Sequence, residues 1–266
     1  MITTKEVAQN YNNIGVGKVK QTTANTFVLA IIAGFFIAVA GTGAAAAAVS
    51  VGQPSLVRLI NGLIFPAGLA MVVIAGSELF TGNCLLIIPV MEKKVSVLEM
   101  IKSLVVVYAG NFVGSIFLVA LCTYGHVYKL FDGAFADQVV ATAVAKVNIS
   151  FGDGFFKGIL CNIIVCIAVW MTFFATTAAE KIINLYFPIL VFVILGFEHS
   201  VANMSYISGG LFVKMAYGIE AETLTWQGFF VNNLIPVTAG NIIGGFLVGL
   251  AYWFVYLRPE HSKGGK

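Results

Sequence analysis

The chain has 266 residues, 59% of them hydrophobic and 10% charged, with a formal net charge of +3 and a mean hydropathy of +0.94. This composition excludes a water-soluble globular domain, and with no basic run there is no nucleic-acid surface to expect. A polytopic membrane protein is predicted instead, since each helical crossing of a bilayer takes about 20 mostly apolar residues.

In chain order, residues 1–23 are polar and carry Val7, Tyr11 and Ile14 at helical spacing. They predict a short amphipathic helix facing lipid or protein, a gate or a tether with equal warrant. They do not read as a signal peptide, because the apolar run that follows is too long. Six apolar segments come next, roughly 25–50, 60–90, 103–125, 155–178, 183–213 and 228–257. The second and fifth exceed one span and carry polar interruptions, so each is read as two half-helices joined by irregular backbone. The stretch Val144-Ala145-Lys146-Val147-Asn148 is placed in a loop just before the fourth span.

The interruptions match one another. Gly76-Ser77-Glu78-Leu79-Phe80-Thr81-Gly82-Asn83 and Gly196-Phe197-Glu198-His199-Ser200-Val201-Ala202-Asn203 share a Gly, Glu and Asn skeleton at an offset of 120 (196 minus 76). Ala109-Gly110-Asn111 with Gly114 and Ala239-Gly240-Asn241 with Gly244 repeat at an offset of 130 (240 minus 110). About ten residues have therefore been added between the fifth and sixth spans. The chain is read as one membrane channel domain over 1–266, with repeats at about 24–127 and 153–257. Three spans per copy is an odd number, so the copies must lie upside-down to each other, with both broken helices near the bilayer midplane. Small residues at Gly110/Gly114, Gly240/Gly244 and Gly245/Gly249 predict close helix packing.

Ten Lys and Arg fall on one side of the spans: Lys5, Lys18, Lys20, Lys93, Lys94, Lys102, Lys181, Arg258, Lys263 and Lys266. Five fall on the other, Arg58, Lys129, Lys146, Lys157 and Lys214. The richer side is expected in the cytoplasm, which puts both termini inside a multi-pass protein of the cell membrane.

A broken helix in lipid frees backbone N–H and C=O groups, each costing several kcal/mol if left unpaired. Glu78 and Glu198 stand where their carboxylates could accept from freed N–H groups, and this capping role is preferred to a proton relay. Asn83 and Asn203 are read as tying the loops down. The N-termini of the second half-helices favour an anion near the midplane, and Thr81 supplies a hydroxyl donor there. His199 is the one histidine inside a span; His126 and His261 lie at a span end and in the tail. An ionisable group at such a depth is read as functional. Lys146 is either an interfacial lysine or one that draws anions into a vestibule. Phe65, Leu69, Leu79 and Phe192 are either packing residues or greasy constrictions that a hydrated anion crosses only at high cost. Cys84, Cys122, Cys161 and Cys166 form no Cys-x-x-Cys pair and are read as small apolar packers. No metal or cofactor is expected.

Gly-x-Glu-Leu-Phe-Thr at 76–81, Gly-Phe-Glu-His-Ser-Val-Ala-Asn-Met at 196–204 and Asn-Leu-Ile-Pro-Val-Thr-x-Gly-Asn-Ile-Ile-Gly-Gly at 233–245 resemble the formate/nitrite transporter family, as does Gly-Ile-Leu-Cys-Asn-x-x-Val-Cys-x-Ala-Val-Trp at 158–170. The likeness covers nearly the whole chain. It implies a homopentamer of aquaporin-like protomers, each with its own pore for small anions of weak acids such as formate, nitrite or hydrosulfide. It also implies roles for single residues: Thr81 as the loop hydroxyl, His199 as the central histidine, Asn162 as a pore amide bonded to it, Lys146 as the vestibule lysine. Phe65, Leu69, Leu79 and Phe192 would be the constrictions. The run Gly82-Asn83-Cys84 departs from the small hydroxyl residues more usual in formate channels and points to the hydrosulfide branch.

The function expected is thus a channel for small weak-acid anions, with a proton-coupled carrier as the alternative. A neutral-solute channel for water or ammonia is the first rival, though neither break carries Asn-Pro-Ala and only one histidine is suitably buried. A membrane enzyme is the second; no nucleophile–base pair supports it.

Overall fold

The computed structural model describes residues 2–258, and these are helical throughout, with no strand among them. Lys263, Lys266 and His261 lie outside the described residues. Helix α1 (Thr4–Lys20) opens with a capping box in which Thr3 Oγ1 accepts from the Glu6 N–H at 3.3 Å and the Glu6 carboxylate accepts from the Thr3 N–H at 2.6 Å. These hydrogen bonds hold the Glu6 carboxyl below the usual carboxylate range. The inward stripe of α1 packs on protein: Val7 and Tyr11 are buried, with the Tyr11 ring 5.4 Å from Phe173 and 6.1 Å from Trp170. Ile14 is 37% exposed and falls outside that stripe.

The first copy continues with α2 (Thr23–Ala48), α3 (Pro54–Ile64), α4 (Pro66–Ala75), α5 (Phe80–Asn83), α6 (Ile87–Met91) and α7 (Val97–Tyr124). The second half of the chain holds α8 (Ala134–Val147), α9 (Phe151–Thr172), α10 (Ala178–Ile194), α11 (Ser200–Tyr217) and α12 (Ile235–Tyr256), the last preceded by a π-helical stretch, Gly228–Leu234. Thr23–Ala48, Pro54–Ala75, Val97–Tyr124, Phe151–Thr172 and Gly228–Tyr256 are each long and apolar enough to cross a membrane. At 17 residues α10 is too short and completes its crossing with α11. The two interrupted spans are therefore α3/α4 to α5/α6 and α10 to α11.

Each first half-helix stops at a glycine in the left-handed region, Gly76 at φ +74° and Gly196 at φ +67°. That conformation reverses the chain direction and costs an L side chain free energy. One expectation is corrected here: Lys146 sits on the last turn of α8, not in a loop. Phe135, Ala136, Val140, Ala143 and Val147 recur at helical spacing and bury that face of α8, so 134–147 folds as a surface helix. Its position before α9 mirrors that of α1 before α2.

Large apolar side chains face outward, and the mostly apolar interior holds a set of buried polar side chains. Val105, Phe117, Phe156, Phe187 and Phe254 are exposed, whereas Asn111, Asn162, His199, Ser200, Asn203 and Asn241 are at most 4% exposed. Close approach of α2 to α7 and of α9 to α12 rests on the repeated glycines. A side chain at Gly114 would strike the Ile31 carbonyl, and one at Gly244 the Ile159 carbonyl. Gly114→Leu is accordingly expected to abolish recovery of monodisperse protein in detergent, read by size exclusion, because the obstacle is backbone that cannot repack.

Candidate pore site

One asparagine side chain bridges each break, while the Glu78 and Glu198 N–H groups donate to the Leu29 and Lys157 carbonyls, each at 3.3 Å. Asn111 Oδ1 accepts from the Phe80 N–H at 2.9 Å, and its Nδ2 donates to the Glu78 carbonyl at 2.9 Å and the Ala30 carbonyl at 2.8 Å. Asn241 does the same in the second copy, to the Ser200 N–H at 2.9 Å and the carbonyls of Glu198 at 2.9 Å and Gly158 at 2.8 Å. A buried amide has one acceptor oxygen and two donor hydrogens, which suits it to a break that exposes both kinds of backbone group.

The glutamates do other work than expected. Their carboxylates take no freed backbone N–H; each instead receives a lysine and an amide. Glu78 accepts from Lys18 Nζ at 2.8 and 2.7 Å and from Asn83 Nδ2 at 2.7 Å. Glu198 accepts from Lys146 Nζ at 3.1 and 2.9 Å and from Asn203 Nδ2 at 2.6 Å. A lysine thus stands at either mouth, Lys18 from α1 and Lys146 from α8. The physical reason is that a carboxylate buried to this degree needs a countercharge, whereas the neutral amides of Asn111 and Asn241 satisfy the backbone without one.

Between the mouths, His199 is the N-cap residue of α11. Its Nδ1 accepts from the Ala202 N–H at 3.0 Å, and its Nε2 lies 2.9 Å from Thr81 Oγ1. A backbone N–H can only donate, so Nδ1 must be unprotonated. The neutral ring then carries its hydrogen on Nε2 and donates it to Thr81. The histidine's hydrogen is spent on that contact, and the hydroxyl hydrogen of Thr81 is the donor left over. Asn162 does not bond His199, contrary to what the family likeness implied. Its Nδ2 donates to the Thr81 carbonyl at 3.2 Å and the Asn241 carbonyl at 2.6 Å, so it acts one link away, on the backbone carrying the hydroxyl. Cys166 Sγ adds a contact of 3.4 Å to the same Thr81 carbonyl.

Two cavities flank this pair. One, of about 400 Å³, lies on the Lys18 side and is lined by Leu69, Val72, Leu79 and Gly82 among others. The other, of about 290 Å³, lies on the Lys146 side and is lined by Phe65, Phe192 and His199. No residue lines both, and Thr81 is fully buried between them. The Phe65 and Phe192 rings meet edge to face at 5.8 Å, and Phe192 lies 6.2 Å from the His199 ring. The four apolar residues picked from sequence thus divide two and two, one pair on each side of the Thr81–His199 contact.

Sequence reasoning missed Lys18, Asn111 and Asn241 as members of the site. The signal for Lys18 was present: it stands five residues before Thr23, the start of α2, as Lys146 stands five before Phe151, the start of α9. For the two asparagines the motif repeat was visible, but nothing local ties a residue in α7 to a break some thirty positions earlier (111 minus 80 is 31).

The model of a family described as formate/nitrite transporter matches residues 5–254. The formate channel FocA of Escherichia coli K12 is 36% identical over 260 residues, covering 92% of this chain and 91% of its own. A probable formate transporter of Methanothermobacter thermautotrophicus is 37% identical over 264 residues, covering 91% and 92%. Among solved structures, a pentameric formate channel with formate bound aligns with a TM-score of 0.78 at 34% identity, over 89% of this chain and 98% of that one. An ion channel of the FNT family aligns with a TM-score of 0.85 at 29% identity, over 94% and 98%.

Asn111→Ala strands the Phe80 N–H and the Glu78 carbonyl, and Asn241→Ala the Ser200 N–H and the Glu198 carbonyl; the Ala30 and Gly158 carbonyls lie inside α2 and α9 and keep their helical donors. Each substitution is expected to lower stability by about 2 kcal/mol or more, at roughly 1 kcal/mol or more per orphaned group, read as a fall in the thermal midpoint of detergent-solubilised protein. Ser115→Ala, which removes one 3.4 Å bond to the Gly34 carbonyl, is the mild comparison.

Proposed function

The chain belongs to the formate/nitrite transporter family, and on that premise we propose that it is a membrane channel for small monovalent anions of weak acids, formate first among them. The observation that carries this reading is the Thr81–His199 contact between two cavities, each with a lysine at its mouth. Lys18 and Lys146, each paired to its glutamate, offer an entering anion a charged N–H donor at short range. Leu69 and Leu79 on one side, Phe65 and Phe192 on the other, are the constrictions, where a bare anion pays a desolvation cost that its neutral acid escapes. As an anion moves toward this low-dielectric centre, the pKa of its conjugate acid rises. It takes a proton from vestibule water and crosses as the acid, with the Thr81 hydroxyl offering it a hydrogen bond. His199 serves by holding that hydroxyl's oxygen, leaving its hydrogen free. Operated this way the pore passes a proton with each anion, which is the carrier alternative in molecular terms.

Nitrite and hydrosulfide belong to the proposed substrate range, hydrosulfide on the strength of Gly82-Asn83-Cys84. Residues 1–266 form one channel domain in this reading. The excess of lysine on one side supports cytoplasmic termini, with the Lys18 mouth inside and the Lys146 mouth outside. The pentameric formate channel to which the chain is similar supports a homopentamer with a pore in each protomer.

Flux in proteoliposomes tests the proposal, comparing formate, nitrite, hydrosulfide, chloride and water. Thr81→Ala and His199→Ala are expected to cut formate flux about ten-fold or more, the effect of losing one hydrogen bond to a charged or developing-charge species. Weak-acid flux is expected to rise as pH falls through the range where the acid becomes protonated. Water or ammonia flux alone, indifferent to both substitutions, would overturn the reading. Chloride flux equal to formate flux at every pH would overturn the protonation step.

A further inference from the structure

The two mouths are not built alike. At the Lys146 mouth the chain of bonds closes into a ring. Lys146 Nζ donates to Glu198, which accepts from Asn203; Asn203 Nδ2 also donates to Asn233 Oδ1 at 2.8 Å, and Asn233 Nδ2 donates to the Lys146 carbonyl at 2.9 Å. Asn233 is fully buried and lies in the π-helical stretch Gly228–Leu234. Its neighbour Asn232 donates to the Val147 carbonyl at 3.3 Å. The last carbonyls of any helix lack partners within it, and two amides from the π-helical segment supply them at the end of α8.

The Lys18 mouth lacks this closure. At the repeat offset of 130, the position matching Asn233 is Ser103 (233 minus 130). Its hydroxyl is buried without a hydrogen-bond partner. A space of about 180 Å³, lined by Lys18 and Ser103, opens between the end of α1 and α7 where the other mouth has its bridging amide. Lys18 is held to the pore through Glu78 alone of these links, while the backbone of Lys146 is fixed as well as its ammonium.

We propose that Asn233 is a positioning residue for the Lys146 mouth: it holds the Lys146 backbone and the Asn203 amide so that the ammonium is aimed at the entrance, and it thereby sets the affinity of that mouth, and not of the Lys18 mouth, for entering anions. The π-helical turns are what make this possible, since their wider winding alters which residues face α8 before α12 resumes its regular course. The inference rests on the anion-channel reading above.

The test uses full-length protein in sealed vesicles of either orientation, with initial formate flux measured from each face. Asn233→Ser, which gives this mouth the residue found at the other, is expected to raise the half-saturating formate concentration about five-fold at the Lys146 face, the worth of one hydrogen bond. Maximal flux and half-saturation at the Lys18 face are expected to stay unchanged. In a Lys146→Ala background the same substitution is expected to add nothing, because Asn233 acts through that lysine. Asn233→Thr carries the same comparison should the serine variant not assemble. Equal shifts at both faces, loss of maximal flux alone, or additive effects with Lys146→Ala would sink the proposal. Absence of saturable formate flux in the unsubstituted protein would instead strike the functional reading.

Discussion

A helix can be interrupted inside a bilayer only if the backbone groups it releases find partners, and in this protein two asparagines provide them. Asn111 and Asn241 each bind one N–H and one carbonyl at a break and a second carbonyl on the neighbouring helix, α2 or α9, with nearly identical distances. Everything polar near the centre depends on that arrangement. With the backbone already satisfied by neutral amides, Glu78 and Glu198 are released from capping and can hold lysines at the mouths. Thr81 and His199, one from each break, then meet across the centre, His199 while also capping α11 through its Nδ1.

The duplication supplies symmetry, and the chemistry comes from breaking it. The repeat positions of His199 and Thr81 are Leu79 (199 minus 120) and Val201 (81 plus 120), both apolar. One polar contact therefore stands where two equivalent contacts would be possible. A pore with polar pairs at both would solvate an ion at the midplane, and one with neither would offer a permeant acid no hydrogen bond. The same asymmetry recurs at the mouths, where Asn233 closes a ring on one side and Ser103 leaves a gap on the other. Symmetric scaffolding fixes where the two halves meet, and unequal side chains decide what happens there.

The tautomer of His199 illustrates how local structure limits function. Because its Nδ1 caps α11 through the Ala202 N–H, the ring presents Nε2–H to Thr81 and has no second hydrogen to offer. A donor on Nδ1 fixes both the ring's orientation and its tautomer, and here that donor is the backbone that the break exposed. Asn162 and Cys166 in turn fix the Thr81 carbonyl from α9, so the hydroxyl is held from both of its neighbours in the fold.

What the sequence determined was whatever depends on composition and period. Apolar length announced the spans, the paired Gly, Glu and Asn motifs announced the duplication and the breaks, and a lone histidine at a break marked the centre. The repeated glycines announced close helix packing, and the structure supplied the partners, α2 for α7 and α9 for α12. What only the tertiary structure decided was who bonds whom across the fold. The partner of Glu78 is 60 residues away in Lys18, that of Glu198 is 52 away in Lys146, and Asn162 meets the Thr81 carbonyl instead of His199. The physical reason is one of range. Hydrophobic periodicity is written in neighbouring residues, whereas a buried polar group takes whichever donor or acceptor packing brings within about 3 Å. That choice is made only once all the helices are in place.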